Sequence, residues 1–295
     1  MNVLVLGGTR FMGVHLVNEL LAGGHDVTIA TRGVARDVFG DAVSRLVVDR
    51  FDAKSLFGAF SGKHFDVTID NHAYCSNHVR DLLDVLKTDK YVMTSTCSVY
   101  APDFRENLAE CEVDTKSLEL KWCDYKDFSY DEVKRQAENA LFQAYSEQPS
   151  VAVRFPYIFG RDDYTKRLLF YVKNTFSGNA MNIDNIDAEL SFIESCEAGR
   201  FLAHVAARPV YGCFNAASAG TISLREIIDY TEKRISKKAV LCENGESAPL
   251  NGTPSFSLDT TLAEKSGFDF KNINDWVYPL VDYWIDELKE GREEL

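Results

Sequence analysis

The sequence predicts an α/β protein, a doubly wound parallel sheet followed by a smaller C-terminal α/β lobe. Three observations carry this. Short β-branched runs alternate with amphipathic stretches through the first 160 residues, the runs are apolar throughout, and a glycine-rich turn comes directly after the first of them. Strands apolar on both faces need helices on both faces, and parallel strands need crossovers, which are right-handed. At 295 residues the chain exceeds the roughly 100–200 residues of one domain. A soft boundary near Gly160 separates residues 1–160 from a lobe at 161–295, with no Gly/Ser/Pro linker to tether them loosely.

Val3-Leu4-Val5-Leu6 reads as the first strand. Residues 14–21 form a helix that Gly23-Gly24 ends, and residues 27–30 form the second strand. Leu46-Val47-Val48, Val67-Thr68-Ile69 and Tyr91-Val92-Met93-Thr94 are further strands, with helices at 53–60 and 77–86 between them. A polar helix spans 130–144 and leads into the strand 151–155. Beyond it the alternation weakens: helices are expected at 161–174, 224–235 and 276–288, and short strands at 191–193 and 213–215. Residues 101–129, rich in Asp and Glu, break the pattern and read as an inserted surface loop over the site.

Charge and composition remove several function classes. Lys and Arg number 32 against 45 Asp and Glu, a net charge of −13. That average field repels nucleic acid, whose binding requires counterion release by a positive surface. The seven cysteines are odd in number and show no paired spacing, as expected of free thiols in the cytoplasm. No stretch approaches the ~20 apolar residues of a membrane span. The apolar run at residues 3–6 is short and Arg10 interrupts the stretch after it, so no leader segment is expected.

Three short motifs carry chemistry. Gly7-Gly8-Thr9-Arg10-Phe11-Met12-Gly13 joins the first strand to the first helix. Such a turn needs residues without a Cβ, and the helix N-terminus beyond it presents N–H groups to a pyrophosphate; the plain alternative is a βα turn with no ligand. The second strand ends in Ala30-Thr31-Arg32-Gly33, without the carboxylate that would bind a ribose 2′-hydroxyl. Arg10 and Arg32 suit a 2′-phosphate, which favours NADP with NAD as the other candidate; otherwise they are two exposed surface arginines. Tyr130 and Lys134 are spaced i, i+4 on one helix face, where an ammonium lowers a phenol's pKa and makes it a usable acid/base. The hydroxyls of Thr94-Ser95-Thr96 close the fifth strand, at the carboxyl edge where such sheets bind ligands. His72-x-x-Cys75-x-x-His78 lacks a fourth ligand and reads as a turn, so no metal is expected, and Cys97 reads as a small strand-end filler.

In this order the motifs resemble the extended short-chain dehydrogenase/reductase family, also called the NAD-dependent epimerase/dehydratase family, over most of the chain. The resemblance implies a Rossmann-type sheet. It also implies a catalytic set of Thr96, found by counting back from Val99-Tyr100, with Tyr130 and Lys134, the lysine also binding the nicotinamide ribose. Asn71-His72-Ala73-Tyr74 looks like the family's turn along the cofactor, and Asp49-Arg50 like its position near the adenine. Arg154-Phe155-Pro156-Tyr157-Ile158-Phe159-Gly160 is similar to the segment reaching the nicotinamide. The implied cofactor contacts are therefore Gly7, Thr9, Arg10, Phe11, Met12, Gly13, Arg32, Asp49, Arg50, Asn71, His72, Ala73, Thr94, Tyr130, Lys134, Phe155, Tyr157 and Ile158. The implied activity is that of an NAD(P)-dependent oxidoreductase or sugar-nucleotide epimerase-like enzyme acting on a small molecule, with a homodimer through the Tyr130–Lys134 helix. The chain departs from the pattern at Arg10, which replaces a glycine, and at Glu197, which replaces an Asp. The 34 positions from Thr96 to Tyr130 also exceed the family's interval of about 25, a difference the inserted segment supplies. Arg10 also makes the chain resemble a subgroup that includes plastid stem-loop RNA-binding proteins. A non-catalytic dinucleotide-binding regulator or RNA-binding protein on the same fold is therefore the alternative.

Overall fold

Val3 and Val5 bury themselves in one apolar core and Leu4 and Leu6 in another, as the twofold alternation of a strand covered on both sides requires. The structure, a computed structural model, describes residues 1–292. Its first part runs β1 (Asn2–Leu6), α1 (Met12–Ala22), β2 (Asp26–Thr31), β3 (Ser44–Val47), α2 (Ala53–Phe60), β4 (His64–Asp70), α3 (Ser76–Leu83), β5 (Lys87–Thr96), α4 (Tyr130–Asn139), β6 (Ser150–Phe155) and β7 (Tyr157–Phe159). Next come α5 (Arg167–Ser177), β8 (Ala180–Asn182), β9 (Glu189–Leu190), β10 (Phe192–Glu194), α6 (Ser195–Ala207), β11 (Gly212–Asn215), β12 (Ile222–Ser223), α7 (Leu224–Ile235), β13 (Val240–Leu241), β14 (Glu246–Ser247), α8 (Thr261–Lys265) and α9 (Asn274–Lys289).

Seven strands form one parallel sheet in the order β11-β6-β5-β4-β1-β2-β3. Val3 pairs with Val27 on one side and with Val67 on the other, so the strand order reverses at β1. The crevice at the carboxyl ends of β1 and β4 is where an open sheet of this kind receives ligands. Leu16, Val17 and Leu20 of α1 cover one face, and Leu56, Phe60, Val79 and Leu82 of α2 and α3 cover the other.

The sheet also draws on residues beyond Gly160. β11 supplies its seventh strand, and Phe201, Leu202 and Val205 of α6 share a core with α1. The remaining lobe packs α5, α7 and α9 around Phe192, Ile227, Trp276 and Trp284, so the C-terminal aromatic residues serve packing. The helix expected from residue 161 starts only at Arg167. The Asp163 carboxylate accepts the Thr165 N–H at 2.9 Å, and Lys166 takes a left-handed φ of 55°, which together hold residues 161–166 in a turn. The helix expected over 130–144 is α-helical to Asn139 and π-helical over Ala140–Ala144.

The inserted segment 101–129 does not lie over the cleft, and none of the residues lining the cleft comes from it. Its first half is pinned under the C-terminal lobe: Leu108 is buried, and Glu110 accepts the Asn215 N–H at 2.7 Å. Its second half is strapped across α3 and α4. Lys121 N–H donates to Gln136 at 2.6 Å, and Cys123 N–H to Ser76 Oγ at 2.8 Å. Side chains of the two helices thus satisfy backbone groups that would otherwise seek water.

One buried network ties these layers together. Arg154 of β6 and Glu138 of α4 are both fully buried and pair at 2.6 Å. Ser95 donates to Glu138 at 2.5 Å, while Arg154 also donates to Tyr100 Oη at 3.0 Å and to the Glu110 carbonyl at 2.9 Å. Removing one member of such a pair strands the other charge, at a cost of about 3–5 kcal/mol. Arg154→Met is therefore expected to lower unfolding free energy in urea by that amount. A loss under about 1 kcal/mol would show the pair to be dispensable.

Candidate active site

β1 ends at Leu6, and the chain turns at once through Gly7 and Gly8, with φ of 97° and 95°. Only glycine adopts that backbone freely. A Cβ on Gly7 would also lie 2.8 Å from His72 Nε2, across the point where the strand order reverses. Gly13 serves close approach: its Cβ would stand 2.9 Å from the Gly8 Cα. The residue before α1 is Phe11, whose side chain caps nothing, and no acidic residue occupies the helix's first turn. Its amides and dipole are left for an anion.

This turn forms one wall of a cleft of about 620 Å³. Thr9, Arg10, Phe11, Met12 and Gly13 line it, as do Arg32, Asp49, Asn71, His72, Thr94, Thr96, Tyr130, Lys134, Phe155, Tyr157 and Ile158. One residue implied by the resemblance behaves differently. Ala73 is buried behind the wall and contributes only its carbonyl, to Lys134. Arg50 lines the cleft while its guanidinium also donates to Asp70 at 2.7 Å and to the His78 carbonyl at 2.6 Å, leaving Nη1 without a partner.

At the other end, Lys134 Nζ donates to the carbonyls of Ala73 and Thr94, both at 2.8 Å. An ammonium has three hydrogens, so one remains for a ligand. Burial lowers its pKa to about 8. The Thr94 hydroxyl donates to Asn71 Oδ1 at 2.8 Å, while the buried Asn71 Nδ2 has no partner. Thr96 Oγ1 accepts the Ser98 N–H at 3.2 Å. Tyr130 as a residue is 52% exposed, yet its phenol enters the cleft. Desolvation there and the neighbouring Tyr74 push its pKa up to about 12, against the pull of the Thr96 hydroxyl and the Arg167 charge. The i, i+4 spacing predicts that Lys134 lowers the Tyr130 pKa, and the structure corrects this: the ammonium is spent on two carbonyls and desolvation prevails. Burial likewise pushes the Cys97 thiol up to about 12, which suits a filler and not a nucleophile.

These features fit a dinucleotide. An uncapped helix N-terminus behind a glycine turn suits the pyrophosphate, and the spare Lys134 hydrogen and the orphaned Asn71 amide suit a ribose and its neighbour. Phe51, Tyr164, Thr165 and Arg167 also line the cleft, and sequence reasoning misses them. Tyr164 meets Phe11 edge-on at 5.9 Å across the mouth. These four arrive from the β3–α2 connection and the segment leading into α5, which no motif marks.

A model of the NAD dependent epimerase/dehydratase family matches residues 3–183. The fold superposes on the UDP-glucose 4-epimerase of Thermotoga maritima, solved with UDP-glucose, with a TM-score of 0.76 and 15% identity over 98% of this chain and 100% of that one. The UDP-glucose 4-epimerase of Thermus thermophilus, solved with NAD, gives 0.70 and 16% over 97% and 99%. In sequence, the chain is 32% identical over 130 residues to the chloroplast stem-loop binding protein of 41 kDa b of Arabidopsis thaliana, a match spanning 39% of this chain and 34% of that protein.

The depressed Lys134 pKa makes a pH prediction. Unfolded, the lysine titrates near 10.4; folded, near 8. Between those values the unfolded chain binds more protons, so this residue's contribution to stability grows as pH rises and is lost as pH falls through 8. Relative to Lys134→Met, the ligand-free wild type is expected to gain up to about 3 kcal/mol between about pH 7.5 and about pH 10 in chemical unfolding. A pH-independent difference would place the ammonium in water.

Proposed function

As a member of the NAD-dependent epimerase/dehydratase family, the chain is, we propose, an NAD(P)-dependent enzyme that oxidises, reduces or epimerises a carbinol or carbonyl carbon, with a nucleotide sugar as substrate. The observation that carries this reading is the meeting of Thr96, Tyr130 and Lys134 in the same cleft as the Gly7–Gly13 turn. The UDP-sugar epimerases of the same fold support the substrate class. Arg10 and Arg32 line the end of the cleft nearest β2, where no carboxylate closes the strand, and this supports NADP over NAD. No described helix is long and apolar enough to cross a membrane, and a cytoplasmic enzyme is part of the reading.

A bound dinucleotide would supply hydride-transfer chemistry at the substrate carbon. The turn and α1 amides would hold its pyrophosphate, Lys134 its ribose, and Phe155, Tyr157 and Ile158 its far end. Tyr130 gives a proton to the substrate oxygen or takes one from it, and Thr96 hydrogen-bonds the same oxygen. With a pKa near 12 the phenol holds its proton at neutral pH, so it is poised as the acid. The Arg167 charge, which pulls the Tyr130 pKa down, favours the phenolate on the return step.

Tyr130→Phe is expected to lower kcat at least about a hundredfold while dinucleotide affinity stays unchanged. Undiminished turnover would remove Tyr130 from the mechanism. A second reading, an RNA-binding protein on this fold, draws on the match to the chloroplast stem-loop binding protein. Its signature is an RNA gel shift that weakens steeply with salt, and absence of binding at low salt ends it.

A further inference from the structure

Three side chains from distant parts of the chain meet beside the cleft without lining it. His15 lies on α1, just past the glycine turn, Asp162 lies in the turn between β7 and α5, and Ser195 opens α6. The residue types are those of a hydrolytic triad, but the geometry is not. A triad's base takes the serine's proton. Here the Ser195 hydroxyl donates to Asp162 Oδ1 at 2.7 Å, and His15 turns its Nε2 to Oδ2 of the same carboxylate at 3.0 Å. A carboxylate only accepts, so His15 Nε2 carries a hydrogen and cannot be that base. Burial pushes the Asp162 carboxyl up, but the bonds from His15 and Ser195 outweigh it and hold the group below its ordinary value, charged. A Cβ on Gly160 would collide with both Ser195 Oγ and Asp162 Oδ1, so the chain leaves room for this cluster.

The cluster is therefore a clamp on Asp162, and what it clamps is the turn 161–166. Within that turn the Asp163 N–H donates to the Gly160 carbonyl at 3.3 Å, and the Lys166 N–H to the Asp163 carbonyl at 3.0 Å. The turn carries Tyr164 and Thr165, which line the cleft, and the Tyr164 ring meets Phe11 of the glycine turn. Phe11 holds a φ of 52°, a left-handed value that a residue with a Cβ keeps only where its surroundings impose it.

We propose that His15, Asp162 and Ser195 form a latch, with Asp162 as its positioning residue, that holds the 161–166 turn against the glycine turn and so preorganises the mouth of the dinucleotide site. The inference rests on reading the cleft as a dinucleotide site and adds to it what keeps its mouth in shape. A mouth already held in its bound form has less ordering to do when the ligand arrives. Differences of this kind between variants of one site fall mostly in the dissociation rate. The latch therefore sets how long the dinucleotide stays.

The test compares the full wild-type chain with His15→Leu, His15→Gln and Ser195→Ala. Gln places an amide N–H where His15 Nε2 stands and keeps the bond to Asp162, whereas Leu keeps only bulk. Two quantities are read: hydrogen exchange of the Asp163, Thr165 and Lys166 amides in the ligand-free protein, and the NADPH dissociation rate by stopped-flow fluorescence. His15→Leu is expected to speed both at least about tenfold, the worth of one hydrogen bond to a charged group, and His15→Gln to return both to within about threefold of wild type. Ser195→Ala, which removes the other bond to Asp162, is expected to act in the same direction as His15→Leu. Unchanged exchange in both His15→Leu and Ser195→Ala overturns the latch, and so does equal acceleration by Leu and Gln, which makes His15 a packing residue. Faster exchange with an unchanged dissociation rate overturns the latch's role at the dinucleotide. If NADPH does not bind the wild type, the proposed function fails, and the exchange readout alone still decides the latch.

Discussion

The pair between Arg154 and Glu138 ties α4 to the sheet at the end of the cleft that holds Tyr130 and Lys134. Glu138 stands one helical turn beyond Lys134 and two beyond Tyr130, on the same face of α4. Its carboxylate is gripped by Arg154 of β6 and by Ser95 of β5. Ser95 lies between Thr94, whose carbonyl receives Lys134, and Thr96, which faces Tyr130. The height of α4 over the sheet, and with it the spacing of phenol, ammonium and hydroxyl, is thus fixed by one fully buried ion pair. Buried charges tolerate little displacement, since each loses its solvation and keeps only its partner. The same network reaches outward: the Arg154 guanidinium holds the Glu110 carbonyl of the inserted segment, and Tyr100 holds Asn215 of β11.

Burial sets the protonation of the two central groups in opposite directions. The Tyr130 phenol rises and the Lys134 ammonium falls, each because water is excluded from its charged form. A helical i, i+4 spacing brings two side chains to one face but does not determine what else they bond. Two backbone carbonyls, from the turn after β4 and from β5, claim the ammonium. The charge nearest the phenol's chemistry therefore includes Arg167, which comes from a different part of the chain.

Local features of this chain are legible in its sequence, and long-range ones are not. The first five strands and the glycine turn are readable because each is local: an apolar run, or residues whose φ only glycine tolerates. Thr96, Tyr130 and Lys134 are readable as residues, and their meeting is a consequence of strand order. The seventh strand is readable as a strand, but its place beside β6 is a long-range pairing with no local mark. The pairing of Arg50 with Asp70, twenty positions away on β4, is likewise long-range and has no local mark. The path of residues 101–129 is hidden too, since what holds it is a set of single bonds to Ser76, Gln136 and Asn215 rather than a repeating pattern.

Whether the Gly7–Gly13 turn, with Arg10 in place of a glycine, still cradles a dinucleotide decides the proposed function. It is tested most directly by titrating the purified protein with NADPH and with NADH, monitored by nucleotide fluorescence and by the thermal unfolding midpoint. A ligand that binds only the folded state stabilises it by RT ln(1 + [L]/Kd), so even modest affinity is visible. Both signals are expected to saturate, with NADPH tighter than NADH under the proposed role of Arg10 and Arg32 at its extra phosphate. Binding of neither nucleotide would contradict the dinucleotide-dependent chemistry proposed for this cleft.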